Sequence, residues 1–154
     1  PAGAHAHSPF LPSSWLQKKF RDVHLALTTF VAEMRALGVW EDVAVQSLSE
    51  FGRTMTSNGR GTDHAWGGNQ FLIGGGVRGG RLHGVYPEVR VDGPDSISST
   101  GPMLPSTPWE AIWKPLATWL GVEEAQLGSV LPNLHAFPPS QLFNESDVFN
   151  TTGE

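Results

Sequence analysis

The longest hydrophobic pattern in the chain predicts one amphipathic helix, from about Trp15 to Leu37. Apolar residues recur there at spacings of three and four, which is the period of a single helix face. They are Leu16, Phe20, Val23, Leu27, Phe30, Val31, Met34 and Leu37. The charged residues of this segment fall on other faces, and Gly38 supplies a C-terminal stop. The pattern therefore predicts a helix with one apolar stripe.

A largely apolar strand is predicted directly after this helix, over Asp42 to Leu48. A helix, a tight turn at Gly38 and then an apolar strand are typical of a layered α/β fold. The strand is followed by residues 49–53, at the kind of edge where open α/β sheets bind ligands. A second, short buried strand is predicted at residues 71–73, before three consecutive glycines.

The second half of the chain is predicted to contain a long loop and two further helices. Residues 87–106 carry four prolines and indicate an irregular loop. A helix should begin at Thr107, with Glu110 completing a capping box, and should end at Gly121. A shorter helix is predicted over residues 123–130, before Pro132.

Composition indicates one loop-rich globular domain. The chain has 154 residues, of which 18 are glycine and 12 are proline. Charged residues make up 16%, against a usual share of roughly 25%. Six tryptophans and eight phenylalanines argue against disorder, because so much aromatic surface has to be buried. We assign residues 1–143 to the domain and residues 144–154 to a flexible polar tail.

Charge and hydropathy exclude some classes of partner. The net charge is −5 and the basic residues form no cluster, which argues against nucleic acid as a partner. No apolar run reaches the roughly 18 residues that a membrane span needs. The absence of cysteine excludes disulfides and thiolate chemistry. Residues 1–7 lack the features of a signal peptide. The compartment stays open, with export to a periplasm or the extracellular space among the alternatives.

Candidate chemistry concentrates between residues 49 and 68. Asp63 and His64 are adjacent in a glycine-flanked segment, where both side chains can turn toward one ion. Carboxylate and imidazole suit zinc or manganese. Glu50 is a further candidate ligand, or an acceptor behind the ligands, and the fork of Arg53 suits phosphate or sulfate oxygens. The alternative interpretation is a surface hydrogen-bonded pair at 63–64, with Glu50 and Arg53 forming a salt bridge or holding a loop in place.

Three strings in this region resemble a known family. They read Ser49-Glu-Phe-Gly-Arg-Thr54, Gly61-Thr-Asp-His-Ala-Trp-Gly-Gly68 and Gly74-Gly-Gly-Val-Arg-Gly-Gly80. From about residue 20 to residue 133 the chain resembles the family catalogued as domain of unknown function 1501. That family is sulfatase-like and belongs to the alkaline phosphatase superfamily. The resemblance implies an α/β fold with part of an alkaline-phosphatase-like layered sheet, flanking helices and a metal-centred hydrolytic site.

The resemblance also implies roles for individual residues. Asp63 and His64 would be metal ligands, as in the paired Asp-His of the superfamily. Members of the family carry an upstream Asp-Thr-His motif, and the corresponding segment here is Ala4-His5-Ala6-His7. His7 matches the histidine of that motif, while His5 stands where aspartate is expected and is itself a candidate ligand. The nucleophile and the first carboxylate of the superfamily lie upstream of anything that matches here.

The chain therefore looks like the C-terminal portion of such a domain. We expect its sheet to pack against the missing N-terminal half or against another protein chain, because an uncovered sheet edge promotes aggregation. His83, in the glycine-rich region, is a candidate third ligand, whereas His24 and His135 are expected to be surface or structural residues.

Two functions follow as hypotheses. The first is a metal-dependent hydrolase of phosphate or sulfate esters, with zinc or manganese as cofactor and Arg53 gripping the anionic group. The alternative is a catalytically inactive structural or interaction module that keeps the fold. A protein that binds a metal or an anion without turnover is a third, looser hypothesis.

Overall fold

A computed structural model of the chain describes residues 13–150 and shows a mixed α/β architecture with long connections. The helices and strands are α1 (Ser13–Ala36), β1 (Ala44–Gln46), β2 (Gly52–Arg53), β3 (His64–Ala65), β4 (Leu72–Gly74), α2 (Glu110–Trp119), α3 (Leu127–Val130) and α4 (Glu145–Val148). The strands form two small antiparallel sheets, β1 with β4 and β2 with β3. Over the described residues, no helix has both the length and the apolar character that crossing a membrane requires.

The chain divides into two compact units. The first contains α1, the β2–β3 hairpin and residues 88–104, and the second contains β1, β4 and the three later helices. Residues 88–104 have no regular helix or strand beyond a single bridge between Ser96 and Met103. This confirms the irregular loop that its prolines predict.

Helix α1 confirms the prediction from periodicity, because it covers Ser13–Ala36 and ends two residues before the predicted stop at Gly38. Gly38 has a φ of 71°, and the amide of Val39 donates to the carbonyl of Met34 at 3.0 Å. This is the bond pattern of a glycine-terminated helix end. Five of the eight residues of the apolar stripe are exposed, and we call these five the α1 stripe. They are Leu16, Phe20, Val23, Phe30 and Leu37.

In the β2–β3 hairpin, glycines allow neighbouring backbone segments to pack directly against each other. Its register pairs Gly52 with Ala65 and Arg53 with His64. A Cβ atom on Gly52 would overlap the carbonyl oxygen of Gly67, and one on Gly67 would lie 2.7 Å from the carbonyl oxygen of Met103. The amide of Gly67 also donates to that Met103 oxygen at 3.1 Å. The segment after β3 is thereby held against both neighbours.

The core of the second unit is built around the end of the described chain. Val148 and Phe149 are fully buried beside Leu116, and the Phe149 ring stacks on Trp119 with centroids 4.9 Å apart. Apolar residues of β1, β4, α2 and nearby segments pack against this cluster: Ala44, Leu72, Val77, Ile112, Trp113, Trp119 and Phe143. The prediction of a flexible tail is therefore wrong for residues 144–150. Two adjacent apolar residues inside this polar stretch, Val148 and Phe149, are buried and attach it to the core.

Helix α2 begins later than the sequence predicts. Glu110 is its first residue, no side chain caps it, and Trp109 before it already has helical dihedrals. Thr107, the predicted N-cap, instead places its hydroxyl against Gly84. The predicted helix over 123–130 is present as a short 3-10 turn at Glu124–Gln126 that runs into α3. The predicted strands are also present, shorter in β1 and shifted by one residue in β4.

Candidate functional site

The β2–β3 hairpin brings Arg53 and His64 together on one side of the first unit. The two residues are paired across the strands, so their side chains are neighbours. Phe51 precedes Arg53 by two positions, and alternate residues of a strand share a face. The rings of Phe51 and His64 stack with centroids 3.7 Å apart and planes 14° apart, and the Arg53 guanidinium carbon lies 5.3 Å from the Phe51 ring centroid. We call Phe51, Arg53 and His64 the hairpin face.

Arg53 is exposed and only partly engaged. One of its terminal nitrogens donates to the carbonyl oxygen of Thr62 at 2.7 Å. A guanidinium has five N–H donors, so this bond leaves most of the fork available for an anion. Among the described residues the ion pair formed is between Arg90 and Glu88, at 3.2 Å, and Arg53 and Glu50 do not pair. The salt-bridge interpretation of Glu50 and Arg53 is therefore wrong.

Asp63 is held by a separate set of hydrogen bonds. Its carboxylate accepts from the side-chain amide of Asn58 at 2.6 Å. Its backbone amide donates to the hydroxyl of Thr54 at 3.0 Å, and its carbonyl accepts from the Thr54 amide at 3.0 Å. Thr54 is 6% exposed, so this contact is anchored in the unit's interior. Asp63 and His64 thus have different partners, although both side chains are exposed.

The residues at this site supply part of a metal ligand set. Asp63 and His64 offer one carboxylate and one imidazole, which is the donor chemistry of zinc and manganese sites. Within residues 13–150, however, no group of three or more histidine, aspartate or glutamate side chains is placed to hold one ion. Glu50 does not complete the pair. His5 and His7 lie outside the described residues.

His83 has a different setting, in the second unit. Its ring packs at a tilt against Phe143, with centroids 5.4 Å apart. With Arg81 and Asp147 it lines an open cavity of about 660 Å³. The Asp147 carboxylate accepts from the backbone amide of Asn144 at 2.7 Å and so supports the start of α4.

Sequence reasoning missed the residues that orient the candidate side chains. Phe51 belongs to the string from Ser49 to Thr54, but its spacing from His64 does not predict that the two rings stack. Asn58 precedes Gly59, which has a φ of 84°. The backbone amide of Asn58 donates to the carbonyl oxygen of Gly61 at 3.0 Å. An Asn-Gly pair favours a turn. A turn at this position is the sequence feature that indicates that the Asn58 side chain can reach Asp63.

Residues 11–99 match the model of the family described as a protein of unknown function, DUF1501. This match spans more than half of the chain. The chain belongs to the DUF1501 family. No curated protein and no solved structure matches it significantly. The DUF1501 match includes the whole hairpin face and Asp63, while the resemblance of residues 100–133 stays a prediction.

Proposed function

We propose that this DUF1501 chain is part of a metal-dependent hydrolase domain of the sulfatase-like, alkaline phosphatase type, acting on phosphate or sulfate esters. The observation that carries the proposal is the exposed pairing of Arg53 with His64 across the hairpin, with Asp63 next in sequence. A cationic fork, an imidazole and a carboxylate then lie within one short segment. This is the chemistry that an anionic ester and a divalent cation require.

In this proposal each residue has a distinct task. Arg53 binds the oxygens of the ester's anionic group, which orients the substrate. Asp63 and His64 hold the cation together with ligands outside residues 13–150, for which His5 and His7 are the candidates. When bound, the cation supplies charge stabilisation at the ester oxygens. The stack on Phe51 fixes the plane of the His64 ring, and Asn58 fixes the Asp63 carboxylate.

The architecture supports the view that this chain forms one portion of a larger layered domain. The sheets have two strands each, and the α1 stripe is exposed. An exposed apolar surface of this kind is typical of an interface. We propose that the α1 stripe packs against the rest of a layered domain or against another protein chain, which also provides the nucleophile.

Metal analysis of variants tests this function. We expect the purified chain, together with whatever protein co-purifies with it, to bind zinc or manganese. Asp63→Asn and His64→Ala should each lower the bound metal at least several-fold, because each removes one of few ligands. His24→Ala, which alters an exposed histidine on α1, is the control and should leave the metal content unchanged. Equal metal content in the wild type, Asp63→Asn, His64→Ala and His24→Ala would contradict the proposal.

A catalytically inactive module is the second candidate. It is favoured by the incomplete ligand set, since no third histidine, aspartate or glutamate joins Asp63 and His64 in the described part of the chain. A folded chain that binds no zinc or manganese and hydrolyses neither 4-nitrophenyl phosphate nor 4-nitrophenyl sulfate would favour the module over the hydrolase.

A further inference from the structure

Trp66 is a large aromatic residue that stays exposed beside the hairpin face. It follows His64 by two positions, and its side chain is 76% exposed. Ala65, between the two, is 7% exposed. Trp66 lies in the bend that follows β3, one position after Ala65, whose pairing with Gly52 keeps this backbone close to Arg53.

The backbone on both sides of Trp66 is fixed. Ala65 belongs to β3 and is paired with Gly52. Gly67 donates its amide to the carbonyl of Met103 and packs directly against Gly52. An indole on such a backbone is presented to solvent by a rigid element, and ordering it around a ligand costs little conformational entropy.

The Phe51 ring is only partly exposed and already has neighbours. The His64 ring stacks on the Phe51 ring, and the Arg53 guanidinium lies near it. Trp66 offers an exposed aromatic ring on the backbone beside the strand that carries Arg53. A flat ring in a ligand would stack on it, because aromatic side chains prefer stacked or edge-on contact with ring faces.

We propose that Trp66 is a specificity-determining residue that stacks on a ring in the alcohol part of the ester, while Arg53 binds the anionic group. This rests on the proposed function and names its substrate class: phosphate or sulfate esters of ring-bearing alcohols. Arg53 contributes affinity for every anionic ester, whereas Trp66 contributes the preference for those that carry a ring.

Calorimetric binding to the full 154-residue chain tests this division of roles. The probes are the phenyl and ethyl esters of phosphate and of sulfate, with the better-bound anion used for all comparisons. The wild type should bind the phenyl ester about five-fold more tightly than the ethyl ester, as one stacked aromatic pair provides. Trp66→Ala should remove this preference, and Trp66→Phe should retain part of it.

Two further variants separate the roles of the residues. Arg53→Ala should weaken both esters by the same factor and keep the phenyl preference. Trp15→Ala removes another exposed tryptophan, from α1, and should bind like the wild type. Thermal melting curves of all variants check that each is folded. Glucose 6-phosphate, added as a probe, shows whether a sugar ring is accepted as well as an aromatic one.

The possible failures are distinguishable. A phenyl preference that survives in folded Trp66→Ala overturns the role of Trp66. Equal binding of the phenyl and ethyl esters to the wild type also overturns the role of Trp66. In both cases, weaker binding by Arg53→Ala would still support the proposed anion site. If no ester binds the wild type, the anion site of the proposed function fails and the role of Trp66 falls with it.

Discussion

Single glycines set how closely the backbone segments of the first unit approach. Gly52 lies so near Gly67 that even a methyl group would overlap backbone atoms, and the nearest carbon of Gly67 would be 2.7 Å away. No change of rotamer can relieve such an overlap, because both partners are main chain. The strands would have to move apart, which would shift Arg53 relative to His64.

We expect Gly52→Ala to lower the free energy of unfolding by about 1–3 kcal/mol, the usual effect of overpacking a closed site. Gly128→Ala is the matched control, because a Cβ at Gly128 in α3 meets nothing within 4 Å. That change should raise the free energy of unfolding by about 0.5–1 kcal/mol, since alanine favours the helix. Urea unfolding measures both. A Gly52→Ala protein as stable as the wild type would show that the close approach is not maintained.

At the residue scale, the sequence indicates candidate side chains but does not indicate which neighbours orient them. Residue type and the family strings indicate Arg53 and His64 as candidates, and the hairpin pairs these two residues. Residue type predicts no role for Thr54 and Asn58, because their hydrogen bonds to Asp63 depend on the turn between β2 and β3. Such partners follow from backbone geometry, which residue identity alone does not specify.

Among the elements, α4 has only four residues, yet its last residue, Val148, and the following Phe149 are buried in the core of the second unit. Phe149, directly after it, is 1% exposed and stacks on Trp119. Backbone hydrogen bonds also hold the residues on both sides of Phe149. Arg78 donates its amide to the carbonyl of Val148, and Asn150 donates its amide to Gly76, both at 2.8 Å.

Phe149→Ala should therefore lower the free energy of unfolding by about 3–5 kcal/mol, the range for truncating a buried phenylalanine. Leu120→Ala, at a position 72% exposed just after α2, is the comparison and should change it by no more than about 0.5 kcal/mol. Thermal and urea unfolding both report the difference. Equal stability of the two variants would mean that this end of the chain does not contribute to the core.

The elements that could be predicted are those with long, regular patterns. Helix α1 repeats its apolar spacing over more than six turns, so its position followed directly. Helix α4 has only four residues and no period to detect. The pairing of β1 with β4 joins residues about 28 positions apart, from Ala44↔Gly74 to Gln46↔Leu72. Each strand alone gives no information about that partner or its direction.

For the molecule as a whole, the exposed α1 stripe is the feature with the greatest effect on behaviour in solution. Exposed apolar surfaces of this extent promote association. We expect the double change Leu16→Ser and Phe20→Ser to lower both self-association in sedimentation and the binding of a hydrophobic dye such as ANS.

Leu25→Ser provides the matched control. Leu25 is 64% exposed on the same helix but does not belong to the α1 stripe. It should reduce association and dye binding much less than the double change does. If Leu25→Ser has the larger effect, association does not occur through the stripe.

The path of the chain through its two units has a consequence for evolution. The polypeptide passes from one unit to the other five times, at residues 40–41, 48–49, 69–70, 87–88 and 104–105. The family match ends at residue 99, before α2 and α4 supply the buried side chains that β1 and β4 pack against. A gene rearrangement that transferred only the matched stretch would carry the hairpin with its arginine and histidine but leave the other two strands without a hydrophobic partner. Recombination within this lineage should therefore favour breakpoints beyond Phe149 over any within the interleaved segments.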